Sequence, residues 1–189
     1  MYKAVIFDFF NVIHRDPFLH WLKQNGLERS GALHESSRRV DLGEISDKQF
    51  MQELSDLSGQ PLADVTAAFQ DTSFIDADVV ALIKQLKRHY KTGLLSNSSI
   101  EYLAQIMARH ELESLFDVIT VSAEVRLIKP DPRIFEHALR QLDVSADEAV
   151  FIDDNPRNVA AAARLGIKGI TYTDISSLKR ALSEAGVAT

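Results

Sequence analysis

Five short apolar runs punctuate the chain: KAVIFD (3–8), TGLLSN (92–97), FDVITVS (116–122), EAVFIDD (148–154) and KGITYT (168–173). Each is rich in Val, Ile or Phe, and most lack clean alternation of polar and apolar positions. That pattern suits strands buried on both faces of a parallel sheet. Helical spacing fills the gaps between them. Residues 76–90 place Val79, Ile83, Leu86 and Tyr90 on one face, and residues 98–112 do the same with Ile100, Leu103, Ile106 and Met107. In 131–142, Asp131 reads as an N-cap and Pro132 as the first helical residue. Residues 155–166 repeat the device with Pro156, and Gly166 reads as the C-cap. Strand and helix in alternation predict an open α/β fold with a parallel sheet and right-handed crossovers.

Residues 15–75 break the alternation. They carry several short helical patterns (PFLHWLKQNG, HESSRRVDLG, SDKQFMQELSDLSG and PLADVTAAFQ) and no convincing strand. The expected organisation is an α/β core built from residues 1–14 and 76–189, with a small helical cap over 15–75 inserted after the first strand. An insertion at that point is placed to cover the carboxyl edge of the sheet, where open α/β sheets bind their ligands.

Composition narrows the class. The chain of 189 residues is 46% apolar and 25% charged, ordinary values for one globular domain with a modest insertion. Its net charge of -6 speaks against a general nucleic-acid binder. There are no cysteines, which removes disulfides, thiolate zinc sites and cysteine nucleophiles together. The first apolar run breaks at Asp8, too short for a signal core or a membrane span. A cytoplasmic protein with no membrane partner is expected.

The polar residues at the carboxyl ends of the predicted strands carry the chemistry. The first strand delivers Asp8, the second Ser96 and Asn97, and the fourth Asp153 and Asp154; Lys129 follows the third. Each alone has an ordinary reading: a helix cap for Asp154, a turn for Ser96-Asn97, a solvated loop residue for Lys129. Together they are three carboxylates converging on one edge, where they repel each other and call for a cation. An all-oxygen donor set suits Mg²⁺. A hydroxyl, backbone amides and a lysine beside that cation make a receptor for a phosphate.

The order and spacing of these residues resemble the haloacid dehalogenase superfamily of hydrolases, through FDFFNV, LLSNS, IKPDPRIF and FIDDNPRNVAAAARLGI. Within it, FDFFNVI, the helical insertion and DDNPRN are most similar to a branch of small phosphatases. That branch includes glucose-1-phosphate phosphatases and the N-terminal phosphatase domain of soluble epoxide hydrolases. The resemblance implies a Rossmann-like core with a helical cap, and a Mg²⁺-dependent phosphatase of a small phosphorylated metabolite. It implies Asp8 as the nucleophile that becomes an aspartyl-phosphate. Asp8, Asp154 and the backbone carbonyl of Phe10 would bind Mg²⁺ directly, with Asp153 acting through water or behind the first ligands. Ser96, the amide of Asn97 and Lys129 would hold the phosphoryl oxygens, and Asn158 would support the metal ligands.

Phe10 departs from the family pattern, which places an acid–base Asp two residues after the nucleophile. Three readings follow: a phosphatase without that acid, a 2-haloacid dehalogenase with an aromatic residue at this position, or a catalytically impaired binding protein on the same scaffold. The second leaves Asp153-Asp154 as unpaired charge beside Asp8. A phospho-accepting receiver domain carries its acidic pair on the first strand, whereas here the pair lies on the fourth. His14 is a substitute acid in one reading and a hinge or surface residue in the plainer one. Trp21, Arg38 and Arg39 read as a packed tryptophan and solvated arginines, with contact to a sugar or second anion as the alternative. The substrate itself is not legible in the sequence.

Overall fold

The computed structural model describes residues 1–70 and 74–188. Its centre is a parallel sheet of β1 (Ala4–Phe7), β2 (Lys91–Ser96), β3 (Val118–Val121), β4 (Ala149–Asp153) and β5 (Lys168–Thr171), in the order β3-β2-β1-β4-β5. Every residue of β1 and β4 is buried. Both faces of these central strands are covered, which explains their unbroken apolar runs. The register sets Ile6 of β1 between Gly93 of β2 and Phe151 of β4. The chain fills one side of β1 first and then crosses to β4 on the other, so the crevice beyond β1 and β4 is the topological switch point.

Ten α-helices accompany the sheet among the described residues. Between β1 and β2 lie α1 (Pro17–Gln24), α2 (Gly31–Asp41), α3 (Asp47–Ser58), α4 (Leu62–Gln70) and α5 (Ala77–Leu86). Then come α6 (Ile100–Arg109), α7 (Ser122–Val125), α8 (Pro132–Leu142), α9 (Pro156–Arg164) and α10 (Ile175–Glu184). Asp131 and Asn155 cap α8 and α9 by accepting the backbone N–H groups of Arg133 and Arg157, with proline in the first turn of each. The cap at the far end of α9 is Leu165 rather than Gly166; the glycine follows it at φ +93°, the left-handed region that turns the chain toward β5. Two helices exceed the sequence pattern. The four-residue α7 starts inside the apolar run that yields β3, and α10 buries only Leu178 and Leu182.

Helices α1–α4 carry a hydrophobic core of their own, with Phe18, Trp21, Leu54 and Val65 among its members. Residues 71–73 of the expected insertion lie outside the described residues. The two segments joining this helical unit to the sheet meet in an isolated bridge between His14 and Ile75. At its other side the unit seats on α7. The Ser122 hydroxyl donates to the Asp41 carbonyl at 2.5 Å, and a Cβ on Gly43 (φ +67°) would stand 2.9 Å from the Ala123 carbonyl oxygen. Glycine is required there both for its backbone angle and for the close approach. No helix of the described residues is long and apolar enough to cross a membrane.

Candidate active site

Asp8 directly follows β1. Its N–H donates to the Ile152 carbonyl, which extends the β1–β4 pairing by one step, and its carboxylate accepts the Phe9 N–H at 2.7 Å. Lys129, on the loop before α8, reaches in beside it. Its Nζ lies 2.6 Å from Asp8 Oδ1 and 2.7 Å from Asp153 Oδ2, with only 1% of the side chain exposed. Asp153, the last residue of β4, is fully buried and also accepts from Asn158 Nδ2, at 3.1 Å to each oxygen. The Asn97 side chain, at the end of β2, binds both the N–H and the carbonyl of Lys129 and so fixes the lysine loop to the sheet. Asp154 is half-buried and accepts from Asn11 Nδ2 at 3.0 Å.

One oxygen from each of Asp8, Asp153 and Asp154 lies within 4.8 Å of the others. Three carboxylates around one ammonium leave two uncompensated negative charges, and every offered donor is oxygen. That is the complement of a hard divalent cation. The electrostatics register the strain. Burial pushes the Asp8 carboxyl well above its ordinary range; Lys129 opposes the shift and Asp153 adds to it. Burial raises Asp154 as well, against the hydrogen bond from Asn11. Burial works against the charge of Lys129, but Asp8 and Asp153 outweigh it and raise that pKa.

The structure thus brings Asp8, Asp153, Asp154, Lys129, Asn97 and Asn158 together. Ser96 ends β2 with its hydroxyl fully buried and without a hydrogen-bond partner among the described residues. Phe10 is half-buried, edge-on to Phe9 and stacked on Tyr102 at 6.3 Å between ring centroids. His14 is buried rather than on the surface, at the bridge to Ile75. Its Nδ1 donates to the Arg15 carbonyl, its ring stacks on Phe9, and it lines a separate cavity with His20 and Trp21. Trp21 is packed in the core of the helical unit. Arg38 pairs with Glu35 and Arg39 with Glu53, so none of these three reaches the cavity over Asp8.

That cavity, of about 310 Å³, lies between the sheet edge and the helical unit. It contains residues that the sequence did not single out. Asn11 adopts a left-handed backbone (φ +58°) and spans the Asp154 carboxylate and the Asp16 N–H. Asparagine tolerates that conformation better than most residues, which is the sequence signal for it. Asp16 caps α1 through the N–H groups of Phe18 and Leu19. Arg29 donates to Ser37 Oγ at 2.8 Å and lies 3.9 Å from Asp41. Burial pushes the Asp41 carboxyl up to about 7, against the pull of Arg29. Arg29 and Asp41 meet only through packing, and no sequence spacing marks them.

Comparison with known proteins fits this arrangement. The sesquiterpene phosphatase AstK of Aspergillus oryzae is 31% identical over 180 residues, spanning 92% of this chain and 91% of that protein. A predicted haloacid dehalogenase-like hydrolase from Porphyromonas gingivalis superposes over the whole of both chains with a TM-score of 0.79 at 25% identity. A family enzyme from Bacteroides thetaiotaomicron, solved as a magnesium complex, shares the fold with a TM-score of 0.76 at 24% identity, over 95% of this chain and 98% of that one. The model of the haloacid dehalogenase-like hydrolases matches residues 2–166, and with the sheet order and the acidic cluster in place, the chain belongs to that family of hydrolases.

Proposed function

We propose that the protein is a Mg²⁺-dependent phosphatase of a small phosphorylated metabolite, acting through an aspartyl-phosphate on Asp8. The observation that carries this reading is the buried lysine shared by Asp8 and Asp153, with Asp154 beside them. An Asp8 oxygen attacks phosphorus and the ester P–O bond breaks. Water then attacks phosphorus in the aspartyl-phosphate, releasing phosphate and restoring the carboxylate. Lys129 works against the burial that raises the Asp8 carboxyl and lies against the incoming phosphoryl oxygens, aided by the Ser96 hydroxyl and the Asn97 amide. Such a transition state asks chiefly for alignment and charge neutralisation. Asp8, Asp154 and the Phe10 carbonyl hold Mg²⁺, with Asp153 behind them fixed by Asn158; the ion supplies positive charge at the phosphoryl group. Helices α1–α4 serve as the cap. The name of the Aspergillus relative and the magnesium in the Bacteroides structure both support this reading.

Phe10 offers no proton, so the departing oxygen takes one from solvent. General acid catalysis is typically worth about 10²–10⁴ in rate, so its loss slows turnover of poor leaving groups without removing the mechanism. The test is turnover of p-nitrophenyl phosphate with and without Mg²⁺, run beside chloride release from 2-chloropropionate. Metal-dependent phosphate release is expected, abolished by Asp8→Asn, with beryllofluoride binding only when Mg²⁺ is present. Titration calorimetry should show Mg²⁺ binding that Asp154→Asn weakens. Chloride release without phosphate release would replace this reading with the dehalogenase one.

A further inference from the structure

Resting on the phosphatase reading, we infer that the cavity takes the phosphate ester of an apolar alcohol, with Phe10 as a specificity-determining wall rather than a vacant acid position. The cavity has two chemically distinct ends. At the sheet edge stand Asp8, Lys129 and Asp154; away from it the wall includes Phe10, Phe18, Phe50, Met51, Phe69 and Tyr102, beside the charged Asp16, Arg29, Asp41 and Asp47. Phe10 is the sheet-side member of that wall. Its ring is held edge-on by Phe9 at 5.2 Å and stacked on Tyr102, whose hydroxyl donates to the Phe69 carbonyl at 3.2 Å. The aromatic wall therefore runs without a break from the residue two after Asp8 to helix α4 of the helical unit.

The charged groups of the helical unit do not contradict this. Arg29 donates to Ser37, lies 3.9 Å from Asp41 and sets its guanidinium carbon 5.6 Å from the centre of the Phe18 ring, and Asp16 caps the N-terminus of α1. Asp47 is engaged by Ser99 and by the backbone of Tyr102. A sugar would need several such groups turned toward its hydroxyls; a hydrocarbon needs only area. Leu19 lines the same cavity and is 39% exposed, one of few large apolar side chains so exposed among the described residues. It adds an exposed apolar side chain to that lining. The volume is at the small end of the usual range for ligand pockets, which suits one compact hydrocarbon group better than a nucleotide.

Alkylphosphonates, which keep the phosphoryl end and cannot be hydrolysed, test this directly. The Mg²⁺-loaded protein is titrated calorimetrically with the straight-chain series from methyl- to octylphosphonate, and glucose 1-phosphate competes against the tightest of them. Affinity should rise about two- to fourfold for each added methylene that the wall covers. Phe10→Ala should flatten the first steps of the series, and Leu19→Gln, at a half-exposed position that leaves folding undisturbed, the last. Glucose 1-phosphate should compete more weakly than octylphosphonate. A flat series, or glucose 1-phosphate binding more tightly, overturns the inference while metal-dependent p-nitrophenyl phosphate turnover leaves the phosphatase reading standing. A rising series from a protein that turns over no phosphate ester overturns the phosphatase reading instead, and with it the identity of the ligand as a substrate.

Discussion

Removing the Lys129 ammonium without removing its bulk, as in Lys129→Met, tests the electrostatic account at its centre. The side chain is 1% exposed and touches two carboxylates at 2.6 and 2.7 Å. Deleting one partner of a buried ion pair costs about 3–5 kcal/mol, because an uncompensated charge stays behind. Here two carboxylates stay behind, and the Phe9 and Asn158 hydrogen bonds do not neutralise either. For a chain of this length each kcal/mol lowers Tm by about 2–4 °C, so a fall of roughly 10 °C is expected in metal-free buffer near neutral pH. Two conditions should shrink the loss. Saturating Mg²⁺ supplies charge at the same cluster. Acid does so by protonation. Asp8 already sits well above its ordinary range, with Lys129 holding it down, and the variant removes that restraint. A carboxyl whose folded pKa is raised binds protons more tightly when folded than when unfolded. The stability it contributes is full below the unfolded value and fades as pH rises through the folded one, so the gap between wild type and variant should narrow from about pH 7.5 to about pH 5. Lys129 itself is raised and stays charged throughout that window. Urea unfolding with and without Mg²⁺ at both pH values measures all four corners. A metal-free loss under about 1 kcal/mol, or a gap indifferent to pH, would refute the reasoning.

A plot of log kcat/KM against leaving-group pKa should slope steeply, with aryl and acyl phosphates hydrolysed much faster than alkyl phosphates of matched size; a flat plot would show that another group donates the proton. Asn11→Ala should weaken Mg²⁺ binding about tenfold, the usual scale for a residue that orients a metal ligand, and Asn11→Gly, which keeps the φ of +58° unstrained, should weaken it equally; recovery in the glycine variant would assign the effect to backbone strain. Burial lifts Asp41 to about 7, so its ionisation costs the folded state stability as pH rises from about 4 to about 7. Asp41→Asn should therefore gain on wild type by at least ~1 kcal/mol, about 3 °C in Tm, between mildly acid and mildly alkaline buffer; thermal unfolding showing a constant difference would contradict this.

The strands were legible because a doubly covered parallel strand has no polar face to interrupt it. All four residues of β1 are buried, and the sequence there is AVIF. The starts of α8 and α9 were legible for a different reason: an Asp or Asn that caps, followed by a proline that needs no N–H partner, is local chemistry independent of what the helix packs against. Helix α7 has neither signal. Its four residues continue the β3 run, and their helical turn goes with the Asp41 and Gly43 contacts from the helical unit, a tertiary cause with no local trace.

The same division runs through the site. Asp8, Ser96 and Asp153 stand at or just beyond strand ends, so a parallel sheet delivers them to one edge whatever the loops do. Lys129 is carried in by a loop, but Asn97 at the end of β2 binds that loop through both its amide nitrogen and its oxygen, and so ties it to the same edge. The opposite wall has no such frame. Arg29 precedes α2 and Asp41 ends it, and only the fold of the helical unit brings them within 3.9 Å. Phe10 belongs to both worlds. Its place two residues after Asp8 is fixed by the strand, while its meaning depends on Tyr102 of α6, which stacks on it, and on Phe69 of α4, which packs against Tyr102 in turn. In the sequence alone Phe10 is a missing carboxylate. Against those rings it is an apolar surface next to a phosphate-sized charged pole, and an acid placed there would exchange its contact with Tyr102 for a half-buried charge against aromatic carbon.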